Sequence, residues 1–211
     1  MKRYTVVRIL TQALKESDLA IFIGDDVCRE SNLYRQHNFN LYFDGTDDGI
    51  ISLALGIAIG TDKRVFVFCE DQYFIKNTTE FLQSGVSRCK NLFFILLVTG
   101  VYTEVPNTPT IFDSIIYQHG LLFNMGFLVH DYSNLFKINK NPIKTIREYW
   151  SRTRGPLAVL LKIEKGSKEM DSVEFVNKES LLRTKEFIID KTIEGYSYVP
   201  PLSLEDLNLE V

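Results

Sequence analysis

The acidic side chains carry the chemistry this sequence advertises. Asp25, Asp26, Asp47, Asp48, Glu70, Asp71 and Glu104 fall in four short segments, 24–29, 44–49, 69–73 and 99–110, where little besides Arg29 opposes them. Carboxylates gathered in this way hold a cation, attract an amine, or cap helices at their positive ends. The run 44–49 (DGTDDG) has the look of a calcium loop, but its twelfth position is Leu55 where a bidentate acid is required. His37, His119 and His130 have no metal-ligand spacing, and Cys28, Cys69 and Cys89 form neither a CxxC pair nor an even disulfide set. No GxGxxG, Walker or Gly-x-Ser-x-Gly motif is present.

The elements that must position these acids follow from hydrophobic patterning. Apolar residues at helical spacing predict an amphipathic helix over 3–16. Continuous apolar runs predict strands at Leu19–Ile23, 65–69, Leu92–Val98, 127–130 and 157–163. Between them, Ile50–Ile59 is apolar on nearly every side, and 74–86 and Pro142–Arg152 are amphipathic, the last opened by Asn141 as cap and Pro142 at the first helical position. Strands alternating with helices predict parallel pairing through right-handed crossovers. The fold class is therefore α/β, an open, mainly parallel sheet with helices on both faces. In such sheets ligands bind beyond the carboxyl ends of the strands, which is where the four acidic segments fall.

Composition bounds the rest. With 211 residues, 45% of them apolar, the chain can build one sizeable core. A net charge of −3 gives no electrostatic case for nucleic acid or anionic membrane. No apolar stretch approaches the roughly 18 residues of a membrane span, and the first dozen residues do not read as a secretory signal. A reducing cytoplasm suits the three cysteines. Apolar density drops after Glu164, which divides the chain into a domain at 1–165 and a C-terminal extension at 166–211, with a helix expected over 178–189.

The order of these parts resembles the diphosphate-binding domain of thiamine-diphosphate-dependent enzymes. The likeness is strongest to the small subunit of sulfopyruvate decarboxylase and the matching half of phosphonopyruvate decarboxylase. It runs through the opening helix, the strand ending at Gly24, residues 42–49 (YFDGTDDG), 64–68 (RVFVF), 90–95 (KNLFFI), Tyr102, 107–110 (NTPT) and Gly155-Pro156. The resemblance implies a Mg²⁺ site on Asp71, Thr99 and the Val101 carbonyl, with Thr99 standing 28 residues after Asp71. It implies a cofactor cradle at Gly24, Gly49, Glu70, Gln72, Gly100, Tyr102 and Asn107.

Glu70 and Gln72 stand where the family carries glycines, and Thr99 stands for its asparagine. A Glu70 facing the diphosphate would repel it, since unit charges ~5 Å apart at a dielectric of ~20 cost about 3 kcal/mol. The family's ylid-forming glutamate belongs to a pyrimidine-binding domain that this sequence does not match. No catalytic residue is therefore assigned, and the resemblance implies a hetero-oligomer with such a partner, self-association, and a 2-oxoacid substrate. Two expectations stand side by side. One is the cofactor-bearing subunit of a decarboxylase; the other is a catalytically degenerate homologue with an assembly or regulatory role. A third, weaker one keeps the acidic rim for a cation or an amine.

Overall fold

The computed structural model describes residues 1–43, 49–102, 105, 108–114, 117–134 and 141–164. Residues 44–48, Glu104, Asn107, and the extension expected at 166–211 with its helix lie outside the described residues. Six strands form one all-parallel sheet in the order β2-β1-β3-β4-β6-β5. They are β1 (Leu19–Ile23), β2 (Asn40–Phe43), β3 (Val65–Glu70), β4 (Leu92–Val98), β5 (Leu128–Asp131) and β6 (Leu157–Lys162). The helices are α1 (Arg3–Ala13), α2 (Asp25–Tyr34), α3 (Ile50–Ile59), α4 (Asp71–Lys76), α5 (Thr78–Val86), α6 (Ile111–Ser114), α7 (Gln118–Asn124) and α8 (Pro142–Arg152).

Strand side chains alternate between two cores, one on each face. Leu19, Ile21, Val67, Phe94 and Leu96 join α3, α5 and α7 on the first face. Ala20, Phe22, Phe66, Phe68, Phe93 and Ile95 join α1, α2 and α8 on the second. Burial on both faces is why β1, β3 and β4 read as unbroken apolar runs. The second core is knit by stacked rings, Phe22 on Phe68 at 4.9 Å and Phe66 on Phe93 at 4.8 Å.

The open parallel sheet with helices on both faces is observed as expected. Some details differ. The opening helix stops at Ala13. The stretch 74–86 is two helices, because the chain turns at Asn77, whose side-chain amide donates to the Tyr73 carbonyl at 2.9 Å. Strand β2 and helices α2, α6 and α7 add to the elements predicted. Asn141 caps α8 as expected, its side-chain oxygen accepting from Lys144 N–H at 3.2 Å. From β1 the chain steps outward to β2 and returns to β3 on the other side, so a crevice opens between the tips of β1 and β3.

Candidate functional site

Strand β3 runs into α4 without an intervening loop, so Glu70 is the last strand residue and Asp71 the first helical one. The two side chains go opposite ways. Asp71 turns toward the tip of β4, where it is fully buried and every oxygen is occupied. Its Oδ1 accepts from the Thr99 backbone N–H at 3.0 Å and the Thr99 hydroxyl at 2.9 Å. Its Oδ2 accepts from Gly100 N–H at 3.2 Å and the Thr110 hydroxyl at 2.7 Å. Gly100 supplies the left-handed turn this needs, with φ at 73°. Thr110 is held over the site by its own N–H donating to the Gly100 carbonyl at 2.8 Å, beside a bridge between Val101 and Pro109. The Thr99 hydroxyl also lies 2.9 Å from the Val101 carbonyl. Asp71, Thr99 and Val101 thus come together, as the resemblance implies.

Glu70 does not face that notch. Its carboxylate lies against Arg3 at 2.6 Å on the α1/α2 side of the sheet. The Arg3 guanidinium, itself buried, also forks onto Glu30 at 3.1 and 3.3 Å and reaches Asp26 at 2.6 Å. Three carboxylates thus surround one cation. Burial alone would lower the Arg3 pKa, but Glu70, Glu30 and Asp26 hold it well above its ordinary value. Burial, opposed by Arg3 and reinforced by Asp26 and Glu70, pushes the Glu30 carboxyl up to about 7. The expected repulsion between Glu70 and a diphosphate is corrected accordingly: the charge is spent on Arg3. No positive φ is required at Glu70, whose φ is −82°, so its side chain is accommodated without backbone strain.

Gln72, Gly24 and Tyr102 of the cradle are also engaged by the chain itself. Gln72 is buried, its amide donating to Glu70 Oε2 at 3.1 Å. At Gly24, with φ at 102°, a Cβ would come 2.9 Å from the Tyr73 ring, so the aromatic lies on the tip of β1. Gly49 is left-handed at the start of α3, and no described atom lies within 4 Å of where its Cβ would stand. One turn into α3, the Ser52 N–H donates to the Glu80 carboxylate at 2.9 Å. Tyr102 is half-buried, its N–H donating to the Thr108 carbonyl at 2.9 Å.

Sequence reasoning missed Arg3, Glu30, Tyr73 and Thr110. The signal for the first two was present. Arg3 lies in the helical register of Val6, Val7 and Leu10, and Glu30 in that of Val27 and Ser31, so each is a charge in a buried stripe.

A carboxylate offers about four lone-pair positions, and at Asp71 four donors of this chain take them. A Mg²⁺ ion carrying a diphosphate would have to evict the Thr99 or Thr110 hydroxyl, and the residues as arranged do not fit it.

No family model matches the chain, and no curated protein does. Among solved structures it is similar to a protein of Mycobacterium smegmatis described as a thiamin diphosphate-dependent enzyme, with TM-score 0.60 and 13% identity over 79% of this chain. Benzoylformate decarboxylase of Polynucleobacter necessarius gives TM-score 0.59 and 13% identity over 81%. The 2-oxoglutarate:ferredoxin oxidoreductase of Magnetococcus marinus gives TM-score 0.56 and 10% identity over 82%. The match covers 32% and 34% of the first two chains and 65% of the third. The chain therefore has the α/β fold found in thiamine-diphosphate-dependent enzymes, a decarboxylase among them.

Proposed function

We propose that this chain is a subunit of the thiamine-diphosphate-binding fold that acts by assembling with other subunits and not by carrying the cofactor. The observation that supports this reading is the closed shell around Asp71: the carboxylate that would ligate the cation is fully buried under four donors of its own chain. Two further contacts agree with it, Tyr73 on Gly24 and Glu80 on the first turn of α3. The surface suits assembly. Helix α3 has no charged residue and exposes Leu53 and Ile59; α5 exposes Leu82 and Val86, and α7 exposes Phe123, all on one face of the sheet. A second copy or a pyrimidine-binding-domain subunit would cover such a face.

A second reading is favoured by one piece of geometry. Asp71 Oδ1 and the Val101 carbonyl each lie 2.9 Å from the Thr99 hydroxyl. That is the edge of an octahedron with metal–oxygen bonds of about 2.05 Å. On this reading the Thr110 hydroxyl turns away and the Thr99 hydroxyl turns its proton outward, and Asp71, the Thr99 hydroxyl oxygen and the Val101 carbonyl hold Mg²⁺ and thiamine diphosphate. The chain would then serve a sulfopyruvate- or phosphonopyruvate-type decarboxylase together with its pyrimidine-domain partner, in the cytoplasm.

Calorimetric titration with thiamine diphosphate and Mg²⁺, on the chain alone and mixed with a pyrimidine-domain partner, separates the two. The closed-shell reading predicts no saturable heat in either case, together with light-scattering masses above that of the monomer. A saturable cofactor isotherm removes it in favour of the second. The gain-of-binding variant is Gln72→Gly, Tyr73→Ala, Thr99→Asn. Glu70 must stay, because its removal would strip Arg3 of a partner.

A further inference from the structure

At the end of the sheet opposite Asp71, the amino ends of β3, β4 and β6 border a cleft of about 690 Å³, within the range of small-molecule sites. Phe93 and Trp150 are its buried floor, and Lys15, Arg64, Lys90 and Arg154 line it, with Asp62 the acid among the lining residues. With Arg64 paired to Asp18, three cations against one acid remain, a local reversal of sign in a chain whose net charge is −3.

Parallel sheets collect helix C-termini at this end, and cations are drawn there by the exposed carbonyls. Here that demand is met by other groups. The Asn91 amide donates to the Ala58, Thr61 and Lys63 carbonyls at 2.9, 2.6 and 2.8 Å, closing the end of α3. Arg64 donates to the Trp150 carbonyl of α8 at 3.1 Å while gripping Asp18 at 2.9 and 2.6 Å. Arg147 serves the Gln12 and Ala13 carbonyls of α1 at 2.7 and 3.3 Å. Lys15, Lys90 and Arg154 are exposed and have no side-chain hydrogen bond or ion pair among the described residues. Three cations unpaired among the described residues therefore line a concavity, with Asp62 as the acid beside them, and an anion seated there would meet them.

We propose that this cleft binds a small, multiply charged phosphate or diphosphate anion, with Lys15, Lys90 and Arg154 as its charge contacts. Such a site gives the subunit a ligand remote from the Asp71 notch, and it stands independently of whether that notch ever takes a cofactor.

Isothermal titration of the full chain at low ionic strength, without divalent metal, tests it with inorganic pyrophosphate and with ADP as probes. Pyrophosphate is expected to bind at one per chain and to weaken as salt is added. The variant Lys90→Glu/Arg154→Glu is expected to lose at least tenfold in affinity with an unchanged melting temperature, since neither side chain has a partner to lose. Lys162→Glu, an exposed change at the carboxyl end of β6, is expected to bind like the parent. Tighter binding of ADP than of pyrophosphate supports an organic phosphate seated on the apolar floor, and equal affinity supports recognition of the phosphates alone. No binding, binding untouched by the double reversal, or equal weakening by Lys162→Glu overturns the proposal.

Discussion

Glu70 and Asp71 are consecutive buried acids, and the chain stabilises them by opposite means. Glu70 looks to the α1/α2 face and meets a buried guanidinium; Asp71 looks to the β4 tip and meets two backbone N–H groups and two hydroxyls, with no cation. Several neutral donors can hold a carboxylate without a counter-ion, as they hold anions at helix N-termini. A carboxylate paired with one arginine loses its counter-charge when that residue goes, even where a neutral donor such as the Gln72 amide remains. The Arg3 centre should therefore fail as a unit, and the Asp71 centre by degrees.

The largest effect is expected from Arg3→Met. It strands Glu30 and Glu70 in the core, and breaking a buried pair in this way costs roughly 3–5 kcal/mol. Urea unfolding at pH 8 reads it, and a loss under about 1 kcal/mol would make the cluster energetically idle. Asp71→Asn comes next, at about 3 kcal/mol. The amide keeps one acceptor oxygen and points N–H groups at donors, while hydrogen bonds to charged groups are worth about 1.5–3 kcal/mol each. Thr110→Val, which removes one donor of the four, should cost only about 1–2 kcal/mol if Asp71 weakens by degrees.

Glu30 gives the Arg3 centre a pH dependence. The folded protein holds the Glu30 proton up to about 7, while the unfolded chain releases it near 4.5. Between those values the folded state binds more protons, so stability is greatest at the acid end and falls as pH rises, by roughly 3 kcal/mol in all. Glu30→Gln should flatten that slope, and an unchanged slope would assign it elsewhere. The smallest effect belongs to Arg29→Ala. Arg29 meets Asp25 at 2.6 Å, the same separation as Arg3 and Glu70, but in solvent on the outer face of α2. An exposed i,i+4 pair is worth about 0.3–0.5 kcal/mol, so equal distances should give about a tenfold difference in cost.

Much of the framework was legible because it rests on local pattern. Leu92–Val98 and Ile50–Ile59 are apolar runs whose length and flanking residues name the element, and Asn141-Pro142 marks a helix start by its own chemistry. Strand β2 escaped because four residues opening with Asn40 carry too little apolar signal, and α2 because its stripe of Val27, Cys28 and Ser31 is thin among polar residues. The meeting of Asp71 with Thr99 followed from the resemblance, which sets them at the tips of neighbouring strands. The direction of Glu70 did not, since it depends on Arg3, 67 residues away and on another layer. Nor did closure of the notch, which needs Thr110 folded back by a turn at Gly100.

The most direct measurement of the closed shell is a manganese titration followed by electron paramagnetic resonance, with thiamine diphosphate present. If Asp71 is satisfied from within, free Mn²⁺ signal persists in proportion to the metal added, and Asp71→Asn changes nothing. Loss of that signal at one ion per chain, abolished by Asp71→Asn, would mean that the notch opens for a cation and that the chain carries the cofactor after all.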